Sequence, residues 1–227
     1  MSDAPDTPRP LSPARKAWRF LRLLARPALA RKLGTLVTEG YLAETGWVRS
    51  VLGDTVVDAH GAPLPWATLP FTDFIAPRLR ADWRVFEYGA GASTLFYAAR
   101  VRAVLAVEHD EAFAAQLRPR LPANARLLAR ALASAAYADA IAECAPPPEL
   151  VSVDGRDRVR CVAAALGRLA RGGVLVLDDS ERTEYAPALA TLAAAGFRAV
   201  EFWGLAPGRV ERKCTSVFYR NENVLGL

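Results

Sequence analysis

Paired cysteines are missing from this chain. It has three, Cys144, Cys161 and Cys214, an odd total with no two close together. That excludes a disulfide framework and the ligand spacing of a zinc site, and it fits reduced intracellular thiols. Long apolar runs are also missing. Near the N-terminus arginines interrupt every one of them, and no small-residue cleavage site follows, which excludes a signal peptide and a membrane span. No internal repeat is present. Charge, finally, is lacking where a polyanion would need it. Residues 1–33 hold eight basic and two acidic side chains, an excess of six, and the whole chain totals +5. The remainder therefore carries −1, which offers little attraction to nucleic acid despite the high pI.

What is present is core material. Just over half of the 227 residues are hydrophobic, enough for one sizeable domain plus an N-terminal extension and too little for two ordinary domains. Residues 1–13, with four prolines and two aspartates, read as a disordered tail. Residues 14–25 read as a helix with Arg15, Arg19, Arg22 and Arg26 on one face and Trp18, Leu21, Leu24 and Ala25 on another. Such a helix either packs on the body or a second subunit, or lies on an anionic membrane surface with its tryptophan inserted. Residues 14–81 are thus expected to form this helix and a bridging region, with a strand-like run near Val56 and a short helix over 72–79.

From residue 82 strands and helices alternate. Strands are expected at 83–88, 103–107, 126–128, 150–153 and 173–177, with helices at 93–99, 110–118, 134–144, 159–169 and 186–195. Repeated βα units with apolar strands imply a parallel sheet covered on both faces. The last two strands, 197–203 and 214–220, are joined by GLAPGRVERK, which leaves no room for a crossover helix, so they should pair antiparallel. The expected fold of 82–227 is a Rossmann-like doubly wound α/β sheet, mostly parallel, with an antiparallel C-terminal strand and an N-terminal helical extension.

The most informative segment is VFEYGAGASTLF, residues 85–96. Gly89 and Gly91 sit where a strand turns into a helix, so the backbone can approach a ligand and point helical N–H groups at it. The third glycine of a dinucleotide fingerprint is lacking, because Thr94 holds its position. Glu87, two residues before the first glycine, would repel a pyrophosphate and attract a ligand carrying an ammonium and a sulfonium. Glu108 ends the second strand about 19 residues on, where an open α/β sheet places an acid on a ribose diol. His109 beside it either lies over an adenine edge or is a surface histidine.

EYGAGAST followed by VEHD resembles motif I and its acidic partner in class I S-adenosylmethionine-dependent methyltransferases, over about residues 82–220. The resemblance implies that Glu87 sits near the methionine ammonium, that Gly89, Gly91 and Ser93 line the methionine and ribose, and that Glu108 holds the ribose hydroxyls. The stretch ARALASAAY offers no acid or amide for the adenine amine. VDGRDR, DDSER, PLPWATLPF and CTSVFYR are similar to a bacterial subgroup of small methyltransferases, some associated with surface-glycan or secondary metabolism. The resemblance implies S-adenosyl-L-methionine as cofactor, a small-molecule or glycan-type acceptor and a cytoplasmic protein, at the inner membrane face if the basic helix binds lipid.

Methylation of a hydroxyl needs a base within reach of its proton. Asp154, at the end of the fourth strand, is the first candidate, with Asp178 and Asp179 behind it and His109 fourth. Metal-dependent O-methyltransferases carry acids at similar places, with asparagine where this chain has Asp179. Three carboxylates suit a hard divalent cation. Alternatively Asp178 and Asp179 cap the following helix or pair with Arg156, Arg158 or Arg182, the expectation adopted here, with no metal assigned. The rival functions are a non-catalytic nucleotide-binding or interaction protein on the same fold and a NAD(P)-dependent oxidoreductase. The latter fits poorly with Thr94, Glu87 and the antiparallel ending.

Overall fold

The computed structural model describes residues 11–53, 55–133 and 135–227. The chain forms two compact units that divide between Glu44 and Thr45. Residues 45–81 therefore pack within the larger unit. Most of the expected tail lies outside the described residues, but its end is ordered: Ser12 caps a helix that begins at Pro13.

The first unit contains helices α1 (Pro13–Leu24), α2 (Pro27–Thr38) and α3 (Tyr41–Glu44). In α1 the Ser12 hydroxyl accepts the Arg15 N–H and Pro13 fills the first turn, where no N–H is needed. Helix α2 falls in a stretch that sequence reading leaves without an element of its own; Pro27 occupies the same tolerated first turn.

In the second unit, α4 (Trp47–Leu52) and α5 (Leu69–Ile75) precede the sheet. Its strands are β1 (Arg84–Tyr88), β2 (Ala103–Glu108), β3 (Ala125–Ala129), β4 (Leu150–Val153), β5 (Val174–Asp178), β6 (Arg198–Gly204) and β7 (Lys213–Tyr219). The intervening helices are α6 (Ala92–Ala98), α7 (Glu111–Leu117), α8 (Ala136–Asp139), α9 (Arg158–Leu166) and α10 (Ala186–Ala194). Spatial order is β3-β2-β1-β4-β5-β7-β6, with β1 to β5 parallel and β7 antiparallel to both β5 and β6. This is the expected Rossmann-like sheet, antiparallel ending included.

Period-two alternation puts each strand into two cores. Phe86 and Tyr88 of β1 join Val151, Val153 and the buried faces of α9 and α10 on one side. Val85 joins Phe71, Ile75, Phe96 and Tyr97 on the other. Glu87 shares the face of Val85, which is why a carboxylate ends up fully buried. The helix expected over 134–144 is broken: α8 is one turn, and residues 140–143 continue as a 3-10 turn. The break falls where the Tyr88 hydroxyl claims the Ala138 carbonyl at 2.6 Å. Order in the sheet reverses between β1 and β4, and open sheets of this kind take ligands outside their strand ends at that switch point.

Candidate active site

A cavity of about 1210 Å³ opens at those strand ends. Gly89, Gly91, Ser93, Glu108, His109, Asp154, Asp178 and Asp179 all line it; Glu87 does not.

The turn after β1 forms one wall. Gly89 has φ +88°, and a Cβ there would stand 2.7 Å from the Gly155 Cα, so glycine is required on both counts. Gly91 is extended and needs no special conformation, yet a Cβ on it would meet nothing within 4 Å. The Gly91 N–H donates to the Thr94 hydroxyl (3.0 Å), which donates to Glu87 Oε2 (2.5 Å). Thr94, where a third glycine would stand, is thus a buried relay tying the turn to the acid beneath it. Glu87 Oε1 is buried and has no hydrogen-bond partner. Burial pushes the Glu87 carboxyl up to about 7; the Ser93 and Thr94 hydroxyls oppose this and Glu108 adds to it.

Glu108 braces the same wall. Its Oε2 accepts the Ala90 N–H at 3.2 Å, and its Oε1 accepts those of His109 (2.7 Å) and Asp110 (2.9 Å). The carboxylate thus stands at the end of β2, gripping the glycine turn and facing the cavity. The His109 ring is half-buried on the wall, edge-on to Tyr137 at 6.3 Å between ring centres. Its Nδ1 comes within 2.5 Å of Glu108 Oε1 but makes no aligned hydrogen bond.

The opposite wall is an ion-pair lattice. Arg158, at the start of α9, donates through Nε to the Gly155 carbonyl (3.0 Å) and through Nη1 to the Asp178 carbonyl. Its Nη2 reaches Asp154 Oδ1 at 2.9 Å. Lys213, at the start of β7, contacts Asp178 Oδ2 at 2.5 Å and Asp179 Oδ1 at 2.7 Å. Thr215 completes Asp178 by donating to Oδ1 at 2.6 Å, and Arg182 reaches Asp179 Oδ2 at 2.7 Å. The expected pairing of Asp179 with Arg158 and Arg182 is present; Arg156 takes no part in it.

The three acids therefore differ. Asp178 has both oxygens occupied. Burial would raise the Asp179 carboxyl, but Lys213, Arg158 and Arg182 outweigh it and hold the group below the usual carboxylate range. Asp154 is raised well above that range, first by burial and then by Asp178, against the pull of Arg158 and Lys213. Its side chain is still 27% exposed, so cavity water moderates the push. Arg158 hydrogen-bonds Asp154 through Oδ1, and Asp154 lines the cavity. Two cations already span these carboxylates, and the described residues hold no group of three or more histidine, cysteine or acidic side chains arranged for a metal.

Lys213 and Thr215 were missed from sequence. They lie two apart on β7, hence on one face, and the register that sets Thr215 opposite Asp178 delivers both to the site. The antiparallel ending was readable; that register was not. The rim was missed too. Trp66 donates its indole N–H to the Pro207 carbonyl at 3.0 Å, and Lys213 reaches back to the Trp66 carbonyl at 3.3 Å. The PLPW segment and the β6–β7 loop thereby meet beside the cavity, which Trp66, Arg209 and Lys213 line.

No family model matches the sequence, and no curated protein matches it either. Solved structures do. A precorrin 8w decarboxylase from Methanobacterium thermoautotrophicum is 18% identical with a TM-score of 0.53, covering 74% of this chain and 97% of its own. A spermidine synthase from Thermotoga maritima is 12% identical with a TM-score of 0.50, covering 70% and 59%. An rRNA methylase from Streptococcus thermophilus, 18% identical, covers 66% and 95% with a TM-score of 0.49. At these identities the likeness is one of fold: the chain has a seven-stranded Rossmann-like fold.

Proposed function

We propose that this protein transfers a methyl group from S-adenosylmethionine to a hydroxyl on a small-molecule or glycan-type acceptor. The observation that carries the reading is the glycine turn set between two carboxylates, Glu87 beneath and Glu108 beside. That setting disfavours a pyrophosphate and favours a cationic nucleoside. One feature fits the cofactor directly, the open space in front of Gly91; Glu87 acts from beneath the turn through the Thr94 hydroxyl. Glu108 would hold the ribose hydroxyls through charge-assisted hydrogen bonds, each worth roughly 1.5–3 kcal/mol. Gly89, Gly91 and Ser93 would line the rest, and the His109 ring is placed to flank the base.

Bound S-adenosylmethionine supplies an activated methyl carbon on sulfur. The chain's part is to position the acceptor and take its proton; positioning alone can lower a barrier by about 7–11 kcal/mol in favourable cases. Asp154 would take up the acceptor's hydroxyl proton, while the cofactor, held by Gly89, Gly91, Ser93 and Glu108, would supply the methyl group to the acceptor oxygen and leave as S-adenosylhomocysteine. Arg158 fixes the carboxyl through Oδ1, and the raised affinity of Asp154 for protons makes it a stronger base than an ordinary aspartate. Asp178 and Asp179 are positioning residues that hold Lys213 and Arg158 in place.

Calorimetry with S-adenosylmethionine, S-adenosylhomocysteine and NAD tests the cofactor. Binding of the first two alone is expected; NAD binding in their place would overturn the reading. Binding without turnover against a broad panel of hydroxyl acceptors would point instead to a non-catalytic binding protein.

A further inference from the structure

The 28 residues 11–38 contain seven cationic side chains and no acidic one. They form α1 and α2, neither of which has a single buried residue. On α1, Trp18, Phe20, Leu21 and Leu24 are each more than half exposed and fall on one arc of the helix. Arg15, Arg19 and Arg22 fall on the opposite arc, Arg26 follows just beyond the helix end, and the Arg22 guanidinium lies 4.5 Å above the Trp18 ring at the boundary. On α2, Leu29, Leu33 and Leu36 form a second exposed apolar strip, with Arg31 and Lys32 off it.

Soluble helices bury the face that these leave open. A water-exposed stripe of large apolar side chains beside a run of like charge has a defined complement. It needs an apolar phase bounded by fixed negative charge. A second copy of this segment would supply the apolar surface but would set seven cations against seven. The described residues include no helix long and apolar enough to cross a membrane. We infer that α1 and α2 lie in the plane of an anionic lipid surface, with Trp18, Leu21 and Leu24 in the acyl boundary and the arginines among the headgroups. The first unit is then a membrane-docking element, and the cavity of the second operates on a chain held at a bilayer. The inference does not depend on the proposed reaction.

Co-sedimentation of the full-length protein with vesicles of phosphatidylcholine alone, or with 30% phosphatidylglycerol, is the test. At least tenfold tighter binding to the anionic vesicles is expected, weakening as salt rises. R15S/R19S/R22S/R26S should abolish the anionic preference. W18A/L21A should weaken binding at least fivefold while leaving circular dichroism and thermal melting unchanged. Equal binding to both vesicles, no binding to either, or full binding by the arginine variant would overturn the inference. So would a self-association, seen by light scattering without vesicles, that W18A/L21A removes.

Discussion

The two walls of the cavity are built on opposite principles. The β1–β2 wall is held almost wholly by backbone: three N–H groups on Glu108, one on Thr94, and a glycine at φ +88° pressed against Gly155. The β4–β5–β7 wall is held by side-chain charge, with Arg158 and Lys213 spanning three aspartates. A backbone wall keeps its shape when a ligand arrives, because no side chain must reorient. A charged wall sets the proton affinity of each acid separately, because each sits at a different distance from the cations. The proposed function puts cofactor grip on the first and proton transfer on the second.

The largest test of this division is Asp154→Asn. The amide keeps the contact with Arg158 but accepts no proton, so turnover should fall about 10²–10⁴-fold with S-adenosylhomocysteine affinity unchanged by calorimetry. Below the raised Asp154 pKa the wild-type acid is protonated, so its rate should climb with pH through a range above that of ordinary carboxylates; a profile flat in that range would remove Asp154 as the base. Next comes Lys213→Met, which leaves Asp178 and Asp179 with fewer partners in a buried setting. It should cost about 3 kcal/mol in urea unfolding at pH 7 and disturb turnover more than cofactor binding.

Glu87→Gln probes the backbone wall. A carboxyl raised from 4.5 to about 7 by folding favours the folded state fully only below pH 4.5, and that advantage drains away as pH rises to 7. The amide avoids the loss, so thermal stability should match wild type near pH 4 and exceed it near pH 8, by on the order of 2–3 kcal/mol. Equal melting at both pH values would show that Glu87 titrates normally. The smallest effect expected is that of Glu108→Gln, which keeps an acceptor for the Ala90, His109 and Asp110 N–H groups but loses the charge: a loss of S-adenosylmethionine affinity of about tenfold, about 1.4 kcal/mol, with thermal melting unchanged. Unchanged affinity would remove the ribose assignment.

The backbone wall was the legible one. VFEYGAGAST and VEHD carry their geometry locally, within consecutive βα units, so spacing brought Gly89, Gly91 and Glu108 to one place and the family resemblance added Ser93. Depth was not legible: nothing in the local pattern says that Glu87 alternates onto the face packed by Phe96 and Tyr97 and so lies beneath the cavity instead of along it. The charged wall was half legible. Asp154, Asp178 and Asp179 end their strands, and Arg158 and Arg182 are their neighbours in sequence. Lys213 and Thr215 come from a strand 35 residues on, and only the register of β7 against β5 selects them. Long-range register is the part that a single sequence withholds.

That register has a consequence for how the protein matures. The cation that neutralises the β5 acids arrives on the last strand of the sheet, so a nascent chain that has paired β1 to β5 still holds Asp178 and Asp179 without Lys213. Closure of β7 brings the counter-charge, the Thr215 hydroxyl and the rim beside Trp66 in a single event. A chain cut ahead of Lys213 therefore lacks both the antiparallel partner of β5 and the Lys213 and Thr215 contacts of Asp178.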